Sequence, residues 1–188
     1  MIKDADFIRG NAPMTKEEVR MLAACRMELK GKQQVLDIGG GTGATAITFA
    51  LWNPEAEVTV IEKNQERLEL IKQNIEKFNV PNLKTVLGSA TQDLPEKKFD
   101  RVFIGGGSEN IEAIFQWLET HLNENAIVVA NTIAIESTSR LNQAFDNYDY
   151  AEIDLTQIQI SKGKRVNDYT LLQAQNPIIM ISGRRNYL

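Results

Sequence analysis

The residue types most suited to chemistry in this chain occur in a glycine-rich run at residues 37–43, which is DIGGGTG. The run follows a short apolar segment that predicts a strand and precedes an apolar segment that predicts a helix. Glycines at such a turn let the backbone approach a ligand where a Cβ would clash. The start of the helix directs free amides and a positive dipole end toward the same place. The run therefore predicts a small-molecule site at the end of a strand.

Two classes of cofactor fit this run, and its acidic residue separates them. Gly39, Gly41 and Ala44 satisfy a loose G-x-G-x-x-A pattern, which is typical of dinucleotide sites such as those for NAD. Asp37 would face a dianionic pyrophosphate unfavourably, whereas an acid suits a ligand that carries an amine or a sulfonium. We therefore favour S-adenosylmethionine over NAD, and also over a structural turn without a ligand. The cofactor-binding candidates in the run are Asp37, Gly39, Gly40, Gly41 and Gly43.

Further cofactor contacts are expected after the second and third predicted strands. Glu62 ends the second strand, where its carboxylate could accept both ribose hydroxyls. The alternative is an exposed acid at a helix start, where the dipole favours it. Ser89 and Ala90 follow the third strand, where adenine is expected. Many methyltransferases carry an Asp there, so backbone amides or a neighbour such as Thr91 would have to replace it. Together with Thr15 before the first helix and Gly105 after the fourth strand, the remaining cofactor-binding candidates are Glu62, Lys63, Ser89 and Ala90.

A second glycine-rich segment, IGGGSEN at residues 104–110, follows the fourth predicted strand, at the methyl end of such a cofactor. It lacks the Asn/Asp-Pro-Pro-Tyr of many amino-methylating enzymes. Its glycines either leave space for a bulky substrate or form a loop without ligand contact. Asn131 and Thr132 follow the fifth strand and, with Glu109, are weak candidates for catalysis; each could equally be a cap or turn residue. His121, at an expected helix end, is better explained as a favourable charge there.

The elements that must position these residues alternate between strands and helices. The predicted strands are 35–38, 58–61, 83–87, 99–104 and 126–130, and the predicted helices are 15–29, 44–51, 64–78, 110–121 and 136–146. Thr15 to Glu18 have the form of a capping box for the first helix. The alternation implies parallel pairing, because each crossover needs a helix to return the chain. Two β-rich segments, 151–161 and 169–183, have no helix between them and therefore add an antiparallel strand.

This pattern predicts an α/β protein with the class I S-adenosylmethionine-dependent methyltransferase (Rossmann-like) fold. We expect a mostly parallel seven-stranded sheet with an antiparallel strand near the C-terminus. A length of 188 residues fits a single domain. Within it we distinguish an N-terminal extension and helix (1–30), a cofactor-binding core (31–147) and C-terminal β segments (148–188).

Composition excludes several other classes of protein. The chain has 25 acidic and 21 basic residues, a net charge of −4, which disfavours a nucleic-acid partner held through phosphates. One cysteine and one histidine provide neither metal-type spacing nor a Ser-His-Asp set, so no metal is expected. A charged start and the lack of a long apolar run predict neither a signal peptide nor a membrane span. We therefore expect a cytoplasmic protein.

Several motifs taken together resemble one family. They are PMTK at 13–16 leading into a helix, the DIGGGTG run, FIGG at 103–106, NPII at 176–179, and Gly183-Arg184. Their combination, over nearly the whole chain, resembles the decarboxylating precorrin carbon-15 methyltransferases of cobalamin biosynthesis. The resemblance implies methyl transfer from S-adenosylmethionine to carbon 15 of a precorrin or cobalt-precorrin, loss of CO2 from the ring-C acetate arm, and a homotetramer. The chain departs from its relatives at VNDY, residues 166–169, where they carry a glycine-rich stretch.

A substrate of this kind is a large flat macrocycle with many carboxylate arms, which an acidic protein must bind through local cationic groups. Arginine forks suit carboxylates best. The candidates by position are Arg9, Lys16, Lys162, Lys164 and Arg165, although each could equally be a solvated surface charge. No residue is identified as an acid or a base. The alternatives are a methyltransferase of similar fold that acts on tRNA or protein, and a non-catalytic cofactor-binding protein.

Overall fold

The structure is a computed structural model that describes residues 2–90, 92–106 and 108–186. Strands and helices alternate along the chain as predicted, up to the C-terminal third. The helices are α1 (Glu17–Arg26), α2 (Ala44–Trp52), α3 (Gln65–Phe78), α4 (Ile111–His121) and α5 (Ile135–Asn147). The strands are β1 (Gln34–Ile38), β2 (Glu57–Glu62), β3 (Leu83–Leu87), β4 (Phe99–Ile104), β5 (Leu122–Thr132), β6 (Tyr150–Ile158), β7 (Ser161–Val166), β8 (Tyr169–Ala174) and β9 (Ile178–Arg185). In this part of the chain, no helix combines the length and hydropathy needed to cross a membrane.

Seven strands form one sheet in the order β3-β2-β1-β4-β5-β9-β6. The pairs from β3 to β5 are parallel, and β9 is antiparallel to both β5 and β6. The predicted fold class, a mostly parallel sheet with an antiparallel strand near the C-terminus, is confirmed. The chain leaves β1 in one direction toward β2 and β3 and later returns to its other side as β4. Ligands in such sheets bind beyond the carboxyl ends of the strands at this switch point.

Helices cover both faces of the sheet, which separates two apolar layers. One layer packs α1, α2 and α3 against the sheet and includes Ala23, Ile47 and Ile71. The other packs α4 and α5 and includes Phe115 and Phe145, whose rings meet edge to face. Because both faces are covered, the central strands are buried over most of their length, as is typical of parallel sheets. The carboxyl ends of these rigid strands provide a fixed platform for a site.

The C-terminal third differs from the prediction. The segment predicted at 151–161 is β6, but the one predicted at 169–183 divides into β8 and β9. β7 and β8 form a separate antiparallel hairpin outside the main sheet. The same alternation of residue types serves a buried strand and an exposed hairpin, so periodicity could not separate them. Burial in the folded structure distinguishes the two strands: Ile181 on β9 is fully buried, whereas Leu172 on β8 is 77% exposed.

The first helix also begins differently from the prediction. α1 begins at Glu17 with Lys16 at its N-cap and no capping side chain, so the predicted capping box from Thr15 to Glu18 is wrong. Both glutamates have other partners. Glu17 Oε2 accepts a hydrogen bond from the Asp4 amide at 2.8 Å, and Glu18 pairs with Lys162 at 2.8 Å. The start of α1 therefore serves to bind neighbouring segments.

Residues 2–16, the N-terminal strap, have little regular structure but are fixed by a buried arginine. Arg20 is 1% exposed. Its guanidinium donates to the carbonyls of Ile2 at 2.9 Å and Thr15 at 2.6 Å, and to Asp4 Oδ1 at 2.7 Å. The same group lies over the ring of Phe7, 4.9 Å from its centre. One cation on α1 therefore binds the strap at both of its ends.

Asn74 binds the middle of the strap to the glycine-rich run. It is completely buried on α3, where it accepts from the Ile8 amide and donates to the Ile8 carbonyl, both at 2.8 Å. It also donates to the carbonyl of Thr42 at 2.9 Å. A single amide therefore holds the strap and the run together above the end of β1.

Candidate functional site

A cavity of about 530 Å³ lies at the carboxyl edge of the sheet, beneath the strap. Its walls are the glycine-rich run, the ends of β2 and β4, the end of β5, and the strap at Pro13 and Met14. This is the position that the order of the strands favours for a ligand. The cavity brings together residues that are far apart in the sequence.

Two glycine segments pack against each other in the cavity wall, and neither leaves room for side chains. Gly39 has a φ of +89°, and a Cβ there would lie 2.7 Å from the Cα of Gly106. Gly41 has a φ of +57°, and its Cβ would lie 2.7 Å from the carbonyl oxygen of Pro13. The amides of Gly105 and Gly106 donate to the Ile38 carbonyl at 2.9 and 3.1 Å. Glycines are therefore required for these segments to pack together as the cavity wall.

The two other glycines of the run have a packing role. A Cβ on Gly40 would lie 2.5 Å from Val60 Cγ2, and one on Gly43 would lie 2.9 Å from Ile71 Cγ2. Gly43 is the N-cap residue of α2, with a φ of +79°, and is not part of the cavity wall. These two glycines let the run lie flat on β2 and α3.

Glu62 is buried at the end of β2 and lines the cavity. Its Oε2 accepts from the Gly41 amide at 2.9 Å, and its Oε1 accepts from the Asn64 amide at 3.0 Å. The carboxylate is thus fixed between the glycine-rich run and the start of α3. Since each carboxylate oxygen has two lone pairs, both retain capacity to accept from a ligand.

Asp37 lies beneath the run, outside the cavity wall. Burial raises the pKa of its carboxyl to about 7, the negative charge of Glu62 adds to the effect, and the Ala46 amide counteracts it. Neither carboxylate oxygen reaches hydrogen-bonding geometry with a partner in the described part of the chain. Asp37 is therefore held under the run without contacting the cavity.

Ser89 and Ala90 line the cavity at the end of β3. The loop they belong to is held by Asp93, whose Oδ2 accepts from the Ser89 amide at 2.9 Å. A Cβ on Gly88 would collide with the Asp93 side chain at 2.3 Å, so a glycine is required for this turn. Thr91, considered with them from the sequence, lies outside the described residues.

An exposed ion pair lies at the cavity wall beside Glu62. Lys63 Nζ is 3.1 Å from Oε1 of Glu109, which joins the end of β2 to the turn before α4. A hydrogen bond from its own backbone and the Lys63 ammonium hold the pKa of the Glu109 carboxyl below its usual value. Arg67 on α3 lines the same part of the cavity, a contribution that the sequence did not indicate.

The end of β5 supplies the remaining polar groups. The Thr132 hydroxyl accepts from the Ala134 amide at 3.2 Å and contacts its carbonyl at 3.3 Å, so it forms the turn into α5. Asn131 also lines the cavity, and both polar atoms of its side chain are buried without a partner among the described residues. Ile133, 70% exposed, forms an apolar lip beside them.

The cations proposed to bind substrate lie outside the cavity wall, although all of them belong to the described residues. Two are already paired: Lys162 with Glu18, and Lys16 with Asp4 at 3.9 Å. The others project from the strap or from the hairpin. The five side chains are those of Arg9, Lys16, Lys162, Lys164 and Arg165. Sequence reasoning brought these residues together, and the single-chain structure does not.

The comparisons with known proteins agree with this geometry. A family profile described as a precorrin methyltransferase domain matches residues 6–185. A probable cobalt-precorrin-6B C(15)-methyltransferase (decarboxylating) from Saccharolobus solfataricus is 35% identical, over 92% of this chain and 89% of its own. The corresponding Salmonella typhimurium enzyme is 32% identical over 96% and 94%.

A solved structure described as a precorrin 8w decarboxylase, from Methanobacterium thermoautotrophicum, has the same fold. It superposes with a TM-score of 0.91, covers 97% of this chain and 99% of its own, and is 22% identical. The family profile and the relatives above 30% identity extend over almost the whole chain. The chain belongs to the precorrin methyltransferase family.

Proposed function

We propose that this protein transfers a methyl group from S-adenosylmethionine to carbon 15 of a precorrin or cobalt-precorrin and releases the ring-C acetate arm as CO2. This reaction belongs to cobalamin biosynthesis and would take place in the cytoplasm. The observation that carries the proposal is the cavity: a glycine cradle beside a buried, oriented carboxylate, in a chain of this family. The names of the relatives supply the identity of the substrate.

The residues around the cavity fit S-adenosylmethionine. When bound, this cofactor supplies a methyl group on a positively charged sulfur. Gly39, Gly41 and Gly105 line the cavity, and Glu62 keeps lone pairs for the ribose hydroxyls. Ser89 and Ala90 border the place for the adenine. The buried Glu62 carboxylate in the cavity wall favours a cation over a pyrophosphate.

The chain's own contribution to the reaction is positioning. The described cavity wall near the end of β5 has no carboxylate or imidazole that would serve as an acid or base. Ile133, Leu141 and Ile178 instead give it an apolar surface suited to a flat macrocycle. Held in place there and shielded from water, the substrate's conjugated ring is the nucleophile, and most of the rate enhancement comes from orientation.

The β7–β8 hairpin is proposed to serve both substrate binding and assembly. β6 ends and β9 begins at the carboxyl edge of β5, so the hairpin extends from the rim of the cavity. Lys164 and Arg165 on β7 are exposed there and suit carboxylate arms. A two-stranded hairpin is marginal on its own. Exposed Tyr169 and Leu172 therefore point to packing between copies, in line with a homotetramer.

Calorimetric titration of S-adenosylmethionine and, separately, of NAD tests the cofactor. We expect micromolar binding of the first only; binding of NAD alone would overturn the proposal. Glu62→Ala should weaken the affinity for S-adenosylmethionine tenfold or more, about 1.4 kcal/mol. Glu66→Ala, an exposed acid in the first turn of α3, is the control and should leave the affinity unchanged. Equal affinities in the two variants would remove Glu62 from the site.

Turnover tests the substrate. Purified protein with S-adenosylmethionine and cobalt-precorrin-6B should form S-adenosylhomocysteine and CO2 in equal amounts, and metal-free precorrin-6B shows whether cobalt is needed. Methyl transfer to bulk tRNA but to neither macrocycle would support the alternative of a tRNA methyltransferase. Light scattering of the same preparation gives the number of chains in the assembly.

A further inference from the structure

The cavity is divided into a charged half and an uncharged half. The charged residues of its described wall are all near β2 and α4: Glu62, Lys63, Arg67 and Glu109. At the other end, around β5 and β9, the wall residues are uncharged: Met14, Asn131, Thr132, Ile133, Leu141 and Ile178. A carboxylate arm that enters the uncharged half would meet no cation from the described wall there.

Asn131 is the side chain in the uncharged half that lacks partners. Its Nδ2 and Oδ1 are both buried and form no hydrogen bond within the described part of the chain. The neighbouring Thr132 hydroxyl is already used in the turn with Ala134. Among the buried side chains without partners that the described residues contain, Asn131 is the one in the cavity wall. Buried amides normally have hydrogen-bond partners, and a ligand in the cavity can supply them to this one.

The chemistry of CO2 loss indicates which ligand group suits a neutral amide. Before the reaction the negative charge of an acetate arm is localised on its carboxylate, and during the reaction it spreads into the conjugated ring. A cation or bulk water beside the carboxylate would stabilise the starting state more than the transition state and slow the reaction. A single neutral donor in an uncharged wall orients the arm with much less of this penalty.

We propose that Asn131 binds the acetate arm that is lost as CO2, donating from Nδ2 to its carboxylate. This inference rests on the proposed function and names the substrate group at the uncharged end of the cavity. In the step it serves, the bond between the carboxylate carbon and the methylene carbon breaks. Its electron pair enters the ring system, CO2 leaves, and the methylene carbon takes a proton from water. The amide itself exchanges no proton.

Two substitutions separate this role from a structural one. Asn131→Leu removes the donor and keeps the volume, and Asn131→Lys places a cation against the arm. Asn142→Leu is the control, because Asn142 bonds Asp146 on α5, away from the cavity. Each protein is titrated with cobalt-precorrin-6B alone, followed by the change in its absorbance. S-adenosylmethionine is then added, and S-adenosylhomocysteine and CO2 are measured together.

We expect Asn131→Leu to bind the macrocycle about tenfold more weakly and to release at least tenfold less CO2 for each methyl group transferred. Asn131→Lys should bind it more tightly yet release CO2 more slowly, a combination that a packing defect does not produce. Asn142→Leu should match the wild type. An unchanged ratio of CO2 to methyl transfer in both Asn131 variants would overturn the inference. If the wild type itself transforms no macrocycle, the proposed function fails instead.

Unchanged binding of S-adenosylmethionine by calorimetry establishes that the variants are folded. If Asn131→Lys does not fold, Asn131→Asp replaces it. That variant puts a like charge against the arm and should abolish its binding while the cofactor still binds. Retained macrocycle binding by Asn131→Asp would also overturn the inference.

Discussion

The strap and the β7–β8 hairpin both lie outside the seven-stranded sheet, and they differ in how they are held. The strap has hardly any regular structure, yet buried Arg20 and Asn74 fix it at three places. The hairpin has a full antiparallel ladder, yet every residue from 163 to 174 is exposed. Regular hydrogen bonding therefore does not decide which segment belongs to the body of the protein; buried polar partners do. The strap completes the cavity, whereas the hairpin is exposed on the single chain.

The most severe test of this contrast removes the anchor of the strap. Arg20→Met keeps the volume but leaves Asp4 and two carbonyls without their donor. We expect a loss of about 3 kcal/mol in the free energy of unfolding, measured with urea. Lys3→Ala removes an exposed ammonium from Glu17, which still pairs with Lys162, and should cost less than about 1 kcal/mol. Equal losses in the two variants would contradict the role of Arg20.

A second test strains the contact between the strap and the glycine-rich run. Gly41→Ala should cost about 2 kcal/mol, because the residue has a positive φ and its Cβ would meet the Pro13 carbonyl at 2.7 Å. Gly31→Ala has a similar φ, +59°, with nothing within 4 Å, so it measures the backbone strain alone. Both are followed by urea unfolding. Equal losses in the free energy of unfolding for Gly41→Ala and Gly31→Ala would contradict a close contact between the strap and the run.

The acid beneath the run gives the stability of this region a dependence on pH. The pKa of Asp37 is raised to about 7 by burial, against about 4 in an unfolded chain. The folded state therefore binds the proton of Asp37 more tightly than the unfolded chain does. The stabilisation that comes from this bound proton is complete below about pH 4 and is lost as the pH rises to 7. The slope reaches about 1.4 kcal/mol per pH unit.

Asp37→Asn, which cannot titrate, should lack this slope. The free energies of unfolding of wild type and variant, measured between pH 5 and 8, should diverge as the pH rises, with the variant the more stable at pH 8. Asp146→Asn on the exposed side of α5 is the control. Parallel curves for Asp37→Asn and the wild type would show that the carboxyl is not protonated in the folded protein.

The smallest effect on stability is expected in the hairpin. Tyr169→Ser with Leu172→Ser should change the free energy of unfolding of a single chain by less than about 0.5 kcal/mol, because both side chains are exposed. The same variant should lower the mass measured by light scattering, if the hairpin joins copies. A loss above 1 kcal/mol with unchanged mass would place the hairpin in the packing of the chain itself.

The sheet and its ligand-binding edge could be predicted from the sequence because their signals are local. The glycine-rich run, the strands before and after it, and the amphipathic pattern of α3 each lie within a few residues. The extra strands of the C-terminal third could not be predicted in this way, since exposed Leu172 and buried Ile181 belong to similar alternating segments. What distinguishes them is a partner distant in sequence.

The positions of individual side chains were less predictable than the elements. Asp37 was expected at the ligand; it is almost completely buried and lies outside the cavity wall, so its contact with a ligand stays a prediction. Arg20 and Asn74 were missed, because a polar residue within a helix usually faces water. One signal was available: Asn74 follows Leu68 and Ile71 on the apolar face of α3, where a polar side chain needs a buried partner.

The position of β9 in the sheet affects how the chain folds. β9 comes after all other strands in the chain, yet it lies between β5 and β6 and pairs with both. Until residues 178–185 have been synthesised, β6 has no neighbour in the sheet and the buried edge of β5 is open. Such late, non-local pairing slows folding and leaves unpaired edges exposed meanwhile. A nascent chain that lacks β9 should therefore bind chaperones that recognise unpaired strands, and the chain that contains it should be released.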